Sequence, residues 1–183
     1  MRKVFLFMMI TLDGFFEGEN HDISWHNVDA EFNTFANEQL DETDTLIFGR
    51  RTYELMAGFW PSRGALEAAP DTAKRMNSLK KIVFSRQSFT PAWQSTTAYT
   101  DIQKLNDIKQ QSGKSIAVLG SSDLCVSLLK ASLLDEIRVM VNPVVIGKGT
   151  PLLAGIDTCH KFLLTDSRTF ANGNILIRYK ANS

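Results

Sequence analysis

Neither sign of charge is in excess in this sequence, and no apolar run in it is long. The 20 Lys and Arg residues balance the 20 Asp and Glu residues, so the formal net charge is zero. Binding along a nucleic acid depends on a basic excess that neutralises phosphates, and we therefore expect no nucleic-acid partner. The longest strongly apolar run, Val4 to Ile10, is far shorter than the about 20 residues of a membrane-spanning helix. We expect no membrane partner either.

Cysteine and histidine are scarce, and neither is spaced for a metal. Cys125 and Cys159 form no C-x-x-C pair, His21 and His26 have no third ligand nearby, and His160 stands alone. Reduced thiols and no metal site are therefore expected. The basic start of the chain leads into an apolar run without a small-residue cleavage site, which predicts a cytoplasmic protein rather than a secreted one.

Strand and helix patterns alternate along the 183 residues without an internal repeat, which predicts a single α/β domain over residues 1–183. Continuous apolar runs predict buried strands, and apolar residues at helical spacing predict helices. Strands are expected at 3–10, 45–48, 81–85 and 115–119, and helices at 29–40, 51–57, 101–111 and after Ser122. Asp29 is the expected N-cap of the first helix, and Gly58 is expected to end the second.

Antiparallel strands are predicted at the C-terminal end. Two apolar runs, 161–170 and 174–179, are joined by Asn172-Gly173, and Asn-Gly between apolar runs is a strong hairpin signal. Before them, 136–141 and 144–146 flank Pro143, which predicts a bend or a sheet edge rather than one central strand. A mainly parallel sheet with an antiparallel C-terminal hairpin is therefore expected.

Residues suited to phosphate follow three of the predicted strands. Gly49 stands at a strand end, where it allows close backbone approach, and Arg50, Arg51 and Thr52 follow at the start of a helix. The alternative for this segment is a charged helix start on the surface. Because ligands bind at the carboxyl ends of parallel strands in open α/β sheets, an anion site is the functional hypothesis.

The second segment runs from Leu119 through Gly120, Ser121 and Ser122 to Leu124, again from a strand through small residues into a helix. Small residues let a pyrophosphate lie against a helix N-terminus, although a tight turn with serine caps has the same pattern. The third segment is Ser85-Arg86, a hydroxyl and a guanidinium after a strand. Together the three segments predict a site for a phosphate-rich ligand.

Several motifs in order resemble the dihydrofolate reductase-like family. The run Gly49-Arg50-Arg51-Thr52-Tyr53-Glu54 is similar to the G-R-x-T-aromatic-E signature of dihydrofolate reductases. Thr11-Leu12-Asp13-Gly14 resembles the S-x-D-G of the C-terminal reductase domain of the riboflavin-biosynthesis deaminase-reductase. The segment 124–153, with the sequence PVVIGKG at 143–149, resembles that domain as well. The resemblance covers nearly the whole chain.

This resemblance implies a dihydrofolate reductase-like fold with helices on both faces of the sheet, and NADPH as the hydride donor. Carried over residue by residue, it places the adenosine phosphates at Gly49, Arg50, Arg51 and Thr52, and the 2′-phosphate at Ser85 and Arg86. It places the pyrophosphate at Gly120, Ser121 and Ser122, between Leu119 and Leu124, and the nicotinamide at Met9, Ile10 and Phe16. It also implies a homodimer, with no sequence feature that fixes the interface.

The sequence departs from the family in two places. Ser121 follows Gly120 where the family usually has consecutive glycines. Folate-specific reductases have a tryptophan, a proline and then an acid on their substrate helix. Here Trp25 is followed by Asp29 and Glu31 without that proline, so neither acid is a clean match.

The expected function is NADPH-dependent reduction of a pterin, a riboflavin precursor or another small heterocyclic or carbonyl compound. The alternatives are a true dihydrofolate reductase and a nucleotide-binding protein without turnover. Reduction needs a proton as well as a hydride, and we predict that Asp13 and Asp29, in preference to Glu31, organise it. The loop 11–18, with two glycines and two phenylalanines, is expected to cover the nicotinamide, although a β-turn with a buried phenylalanine pair is the alternative.

Overall fold

The computed structural model describes residues 1–182. Its strands are β1 (Val4–Ile10), β2 (Phe15–Glu17), β3 (Thr43–Gly49), β4 (Lys80–Phe84), β5 (Thr96–Tyr99), β6 (Ser115–Val118), β7 (Glu136–Val141), β8 (Thr150–Pro151), β9 (Phe162–Thr169) and β10 (Ile175–Ala181). Its helices are α1 (Ala30–Asp41), α2 (Arg50–Phe59), α3 (Arg63–Ala68), α4 (Pro70–Ser78), α5 (Lys104–Gln110) and α6 (Ser122–Lys130). Within these residues, no helix combines the length and the apolar character that crossing a membrane requires.

Eight strands form one sheet in the order β5-β4-β3-β6-β1-β7-β10-β9, and β2 and β8 form a separate two-stranded ribbon. All neighbours from β5 to β7 are parallel. β10 is antiparallel to both β7 and β9. The carboxyl ends of the parallel strands therefore meet at one edge of the sheet, which is where ligands bind in such folds.

Both faces of the sheet are buried, because successive side chains of a strand point to opposite faces. In β3, Ile47 belongs to a core cluster with residues of α5 and α6. Its neighbours Leu46 and Phe48 belong to a second cluster with residues of α1, α2 and α4. The predicted α/β sheet with helices on both faces is confirmed.

The C-terminal hairpin is confirmed as well. At its turn, Gly173 has a φ of 90°, a conformation that glycine adopts without cost. The N–H of Phe170 donates to the carbonyl of Asn174 at 2.9 Å, and the N–H of Gly173 donates to the carbonyl of Phe170 at 3.0 Å. The turn therefore sets the pairing of β9 with β10.

One prediction of detail, a bend or a sheet edge at Pro143, is confirmed only for the bend, and another, the end of α2, is wrong. Strand β7 is not at an edge but lies between β1 and β10; it ends at Val141, before Pro143, so the proline removes no hydrogen bond from the sheet. Only the bend is right, since the N–H of Val144 donates to the carbonyl of Asn142 at 2.8 Å. Helix α2 continues through Gly58 to Phe59, because its hydrogen-bond ladder stays intact there.

A buried lysine joins β4 to the segment that leads to β5. The Nζ of Lys81 donates to the carbonyls of Leu79 at 2.8 Å, Asn77 at 3.0 Å and Gln94 at 3.3 Å. It also lies 4.4 Å from the ring centroid of Trp93. Burial lowers the pKa of Lys81 to about 8. Three carbonyl oxygens match the three donors of an ammonium group, so this lysine is a structural cross-link.

Candidate active site

The carboxyl ends of β3, β4 and β6 open into a cavity of about 400 Å³. Parallel pairing brings them together: Gly49, the last residue of β3, lies opposite Phe84, the last residue of β4. Seven of the residues expected to contact the cofactor line this cavity: Gly49, Arg50, Arg51, Ser85, Arg86, Ser121 and Leu124. The three strand-end segments of the sequence therefore form one site.

Backbone lies against backbone at the inner end of the cavity. The N–H of Gly49 donates to the carbonyl of Gly120 at 2.8 Å, and the peptide bond between Gly120 and Ser121 is cis. A Cβ added to Gly49 would lie 2.5 Å from the Oγ of Ser121. A Cβ added to Gly120, whose φ is 105°, would lie 3.2 Å from the Oγ1 of Thr52. Glycine is thus required at positions 49 and 120, and Ser121 fits only because residue 49 has no side chain.

The other expected contact residues do not line the cavity. Thr52 packs under Gly120, and Ser122 is buried, with its hydroxyl donating to the carbonyl of Pro151 at 3.2 Å. Leu119 packs against the core cluster on the α2 face. Of the three expected at the nicotinamide, Ile10 and Phe16 pack against the α6-side core and Met9 is buried in a third cluster with Phe35 and Met140.

The cavity has a net positive lining. Three guanidinium groups, of Arg50, Arg51 and Arg86, stand against one carboxylate, of Asp123. The Nε of Arg50 donates to Glu54 at 2.9 Å, and the guanidinium carbon lies 5.0 Å from the ring centroid of Phe89. A guanidinium presents several N–H donors in a planar fork, which matches phosphate oxygens. The lining therefore suits an anionic ligand.

Arg86 differs from the other two arginines. Arg50 is paired as described, and an N–H group of Arg51 contacts the Nε2 of His21. Between residues 1 and 182, the exposed side chain of Arg86 has neither a hydrogen-bond nor an ion-pair partner. Next to it, the Ser85 hydroxyl donates to the carbonyl of Gln87 at 2.6 Å and accepts from the N–H of Gln87 at 3.2 Å. Ser85 thus shapes the loop, and Arg86 can turn to a ligand.

Sequence reasoning missed several residues of the cavity. Asp123 lies in the first turn of α6, Gln87 follows Arg86, and Thr100 follows β5. Asp123 was the only one with a visible signal, since it lies inside the second predicted segment, immediately after Ser122. Thr100 could not be placed because the strand before it carries little apolar signal.

The loop predicted to cover the nicotinamide, residues 11–18 (the substrate-end loop), is a tight turn followed by a ribbon. The N–H of Thr11 donates to the carbonyl of Phe15 at 2.9 Å, and the N–H of Gly14, whose φ is 84°, donates to the carbonyl of Thr11 at 3.1 Å. Phe15 and Phe16 are half-buried, and β2 pairs with β8. The β-turn is therefore present, and movement of this loop over a ligand stays a prediction.

The two carboxylates predicted to organise the proton both accept backbone N–H groups. Asp13 accepts from Gly147 at 2.8 Å and Ile146 at 3.4 Å. The Thr11 hydroxyl, and then these N–H groups, hold the pKa of Asp13 below its usual range. Asp29 accepts from the N–H of Phe32 at 2.8 Å, so its N-cap role is confirmed. Their catalytic role stays a prediction.

Glu31, the third carboxylate considered for the proton path, is bonded to another part of the fold. It accepts from the N–H of Ala171 at 2.9 Å and from Arg168 at 3.0 Å. The N–H of Ala171, and then Arg168, lower its pKa. Glu31 therefore ties α1 to the C-terminal hairpin.

A neutral histidine follows the substrate-end loop. The rings of His26 and Trp25 meet edge to face with centroids 4.5 Å apart. Burial lowers the pKa of His26 to about 4, so its imidazole is uncharged near neutral pH and can donate or accept a hydrogen bond.

A mainly parallel sheet that ends in antiparallel strands, with a cationic cavity at the strand ends, places this protein among the dihydrofolate reductase-like domains. The chain belongs to the RibD C-terminal domain family, whose family model matches residues 2–176. It is 30% identical over 182 residues to an uncharacterized protein of Bacillus subtilis (strain 168), YyaP, covering 99% of this chain and 96% of that protein. Family membership supports a reductase-type role.

Two solved structures show the same fold. A putative riboflavin biosynthesis protein from Shewanella sp. PV-4 aligns with a TM-score of 0.73 and 19% identity over 99% of both chains. A diaminohydroxyphosphoribosylaminopyrimidine deaminase/5-amino-6-(5-phosphoribosylamino)uracil reductase from Thermotoga maritima aligns with a TM-score of 0.69 and 15% identity, over 99% of this chain and 57% of that one. The chain therefore matches only part of the Thermotoga protein.

Proposed function

We propose that this protein binds NADPH and reduces a small heterocyclic or carbonyl compound, such as a pterin or a riboflavin precursor. The observation that carries the proposal is the cavity at the ends of β3, β4 and β6, where three guanidinium groups face one carboxylate. A dinucleotide with an added 2′-phosphate is the reductant whose charge this lining complements. Membership in the RibD C-terminal domain family supports the same reaction type.

The described residues fit the adenosine half of such a cofactor. Arg86 would bind the 2′-phosphate, beside the loop that Ser85 shapes, and Arg50 and Arg51 would bind the remaining phosphates. Leu124 and Ile102 supply an apolar wall for the adenine ring. The missing side chains at Gly49 and Gly120 let the end of β3 and the turn after β6 approach each other, with Ser121 and Thr52 filling the space beside them.

When bound, the cofactor supplies the hydride, and the protein's part is orientation and a path for the proton. Asp13 and Asp29 are the carboxylates we propose for the proton path. Because its pKa is lowered, Asp13 is ionised at neutral pH and would act by holding a water molecule rather than by giving up a proton of its own. The loop 11–18 would exclude bulk water from the reacting atoms.

The test is oxidation of NADPH, followed by absorbance, in the presence of a panel of pterins, dihydrofolate, riboflavin precursors and simple carbonyl compounds. Turnover with at least one compound, faster with NADPH than with NADH, is the expected result. Binding of NADPH without turnover across the panel would favour the nucleotide-binding protein, and absence of binding would refute the proposal. Turnover with dihydrofolate alone would favour a true dihydrofolate reductase.

Asp13→Asn and Asp29→Asn variants test the proton path. Asparagine at position 29 can still cap α1, so this change should spare stability and lower the rate of turnover if the carboxylate matters. Glu31→Gln serves as the control, because its partners lie on the hairpin. Wild-type rates in both aspartate variants would eliminate these two carboxylates from the mechanism.

A further inference from the structure

The cofactor cavity and the 3₁₀ turn that follows the substrate-end loop are joined by one side-chain contact. Arg51 lines the cavity from the first turn of α2. One of its terminal N–H groups contacts the Nε2 of His21, 30 positions earlier in the chain. His21 ends the short 3₁₀ turn Glu19–His21 that follows β2. Nothing in the proposed function uses this histidine.

A carboxylate lies beside the ring nitrogen of His21 that does not contact Arg51. The Oε1 of Glu17 lies 2.9 Å from its Nδ1, outside hydrogen-bonding geometry, so the contact is electrostatic. The same oxygen accepts from the hydroxyl of Thr150 at 2.9 Å, which anchors Glu17 to β8. Asn20 and His21 have φ values of 56° and 64°, and this left-handed turn directs the ring toward α2.

The charges on the two sides of the ring fix its role. A carboxylate beside Nδ1 favours the form that carries the proton on Nδ1. Nε2 is then the acceptor, and it faces a guanidinium, which has only donors. The row Thr150, Glu17, His21, Arg51 therefore runs from the ribbon to the edge of the cavity, with the donors Thr150 and Arg51 at its two ends and the carboxylate of Glu17 between them.

We infer that His21 is a positioning residue that holds the guanidinium of Arg51 in place for an anionic group of the cofactor. Arg51 is exposed, and an exposed arginine loses much rotamer freedom when it binds. A guanidinium has five N–H donors, so a contact to His21 leaves donors for phosphate oxygens. Holding the side chain beforehand reduces the entropy lost on binding. The inference rests on the proposed function and assigns part of the cofactor site to the 3₁₀ turn Glu19–His21.

A double-mutant cycle tests this inference. Dissociation constants for NADPH and for adenosine 2′,5′-bisphosphate are measured by calorimetry on the wild type, His21→Ala, Arg51→Ala and the double variant. We expect His21→Ala to weaken NADPH about three- to tenfold, as for one ordinary hydrogen bond. In the Arg51→Ala background, His21→Ala should have no further effect on the dissociation constant. Independent, multiplying effects would overturn the inference.

Two further variants separate positioning from a general loss of structure. Glutamine at position 21 can accept from Arg51 through its amide oxygen, so His21→Gln should recover most of the affinity. His160→Ala is the matched control, because His160 contacts Thr158 and lies outside the cavity lining. Thermal unfolding is recorded for each variant. An affinity loss in His21→Ala that glutamine does not recover, or unchanged affinity in His21→Ala, refutes the positioning role.

Failure of the proposed function has a different signature. If the wild type binds neither NADPH nor adenosine 2′,5′-bisphosphate, the cofactor assignment fails and the role of His21 fails with it. If the wild type binds both and His21→Ala binds them equally well, the cofactor assignment stands and only the role of His21 is refuted.

Discussion

Replacing Arg86 by alanine should weaken the binding of NADPH and leave the binding of NADH nearly unchanged. The two cofactors differ only by the 2′-phosphate, which adds a charge of about −1.5 to −2 at neutral pH. Arg50 is already paired with Glu54 and Phe89, and Arg51 contacts His21. Arg86 is the arginine of the cavity that can turn to the 2′-phosphate without giving up a contact.

The magnitude follows from the exposure of Arg86. A hydrogen bond to a charged partner contributes about 1.5–3 kcal/mol. Because Arg86 is exposed, water and salt screen the interaction, and the lower part of that range applies. A loss of about 1.5–2 kcal/mol corresponds to a dissociation constant about 10–30 times larger. NADH lacks the phosphate, so its dissociation constant should stay within experimental error.

Calorimetric titration of the wild type and of Arg86→Ala with each cofactor measures the difference. Arg63→Ala is the matched control, because Arg63 is an exposed arginine paired with Glu67 on a helix away from the cavity. Raising the salt concentration should reduce the preference of the wild type for NADPH and leave the variant less affected. An equal loss for both cofactors, or no loss for NADPH, would refute the assignment of Arg86 to the 2′-phosphate.

Gly49→Ala should lower stability by about 1–3 kcal/mol in urea unfolding, since a Cβ would lie 2.5 Å from the Oγ of Ser121; if Ser121→Gly does not recover part of this loss, the steric explanation is wrong. The pKa of Lys81 is lowered to about 8 by burial, so between about pH 8 and 10.5 the unfolded chain holds more protons and this group makes stability rise with pH. Comparison with Lys81→Met across that range should show the rise in the wild type alone. Cys159 is exposed, whereas Cys125 is buried and its pKa is raised to about 12; a thiol reagent should label Cys159 in the folded protein and Cys125 only after unfolding, and rapid labelling of both would contradict the burial.

The buried strands could be predicted because each carries a continuous apolar run. β1, β3, β4 and β6 are covered on both faces, and strands of that kind have a sequence signal that needs no knowledge of their neighbours. The three strand-end segments suited to phosphate could be predicted for a related reason, since each of them directly follows such a strand. Parallel pairing of these strands then places the three segments at the same edge of the sheet.

The features that could not be predicted depend on contacts between residues that are far apart in the sequence. β5 reads Thr-Thr-Ala-Tyr and is a strand because it pairs with β4 at the sheet edge. Helix α3 has only six residues, and α4 carries few apolar ones. The pairing of Arg50 with Glu54 follows from helical spacing, but the contact of Arg51 with His21 requires the whole fold. Tertiary partners, rather than local preference, determine these features.

The strand order has a consequence for how the chain folds as it is synthesised. β1 emerges first, yet its two neighbours are β6 at Ser115–Val118 and β7 at Glu136–Val141. β1, the longest strongly apolar run of the sequence, therefore has no strand partner until most of the chain has left the ribosome. Pairings of such long sequence separation form slowly and leave apolar surface open to aggregation. A nascent chain or truncated fragment that ends before Val141 cannot complete the centre of the sheet, so early termination yields an aggregation-prone product rather than a smaller working domain.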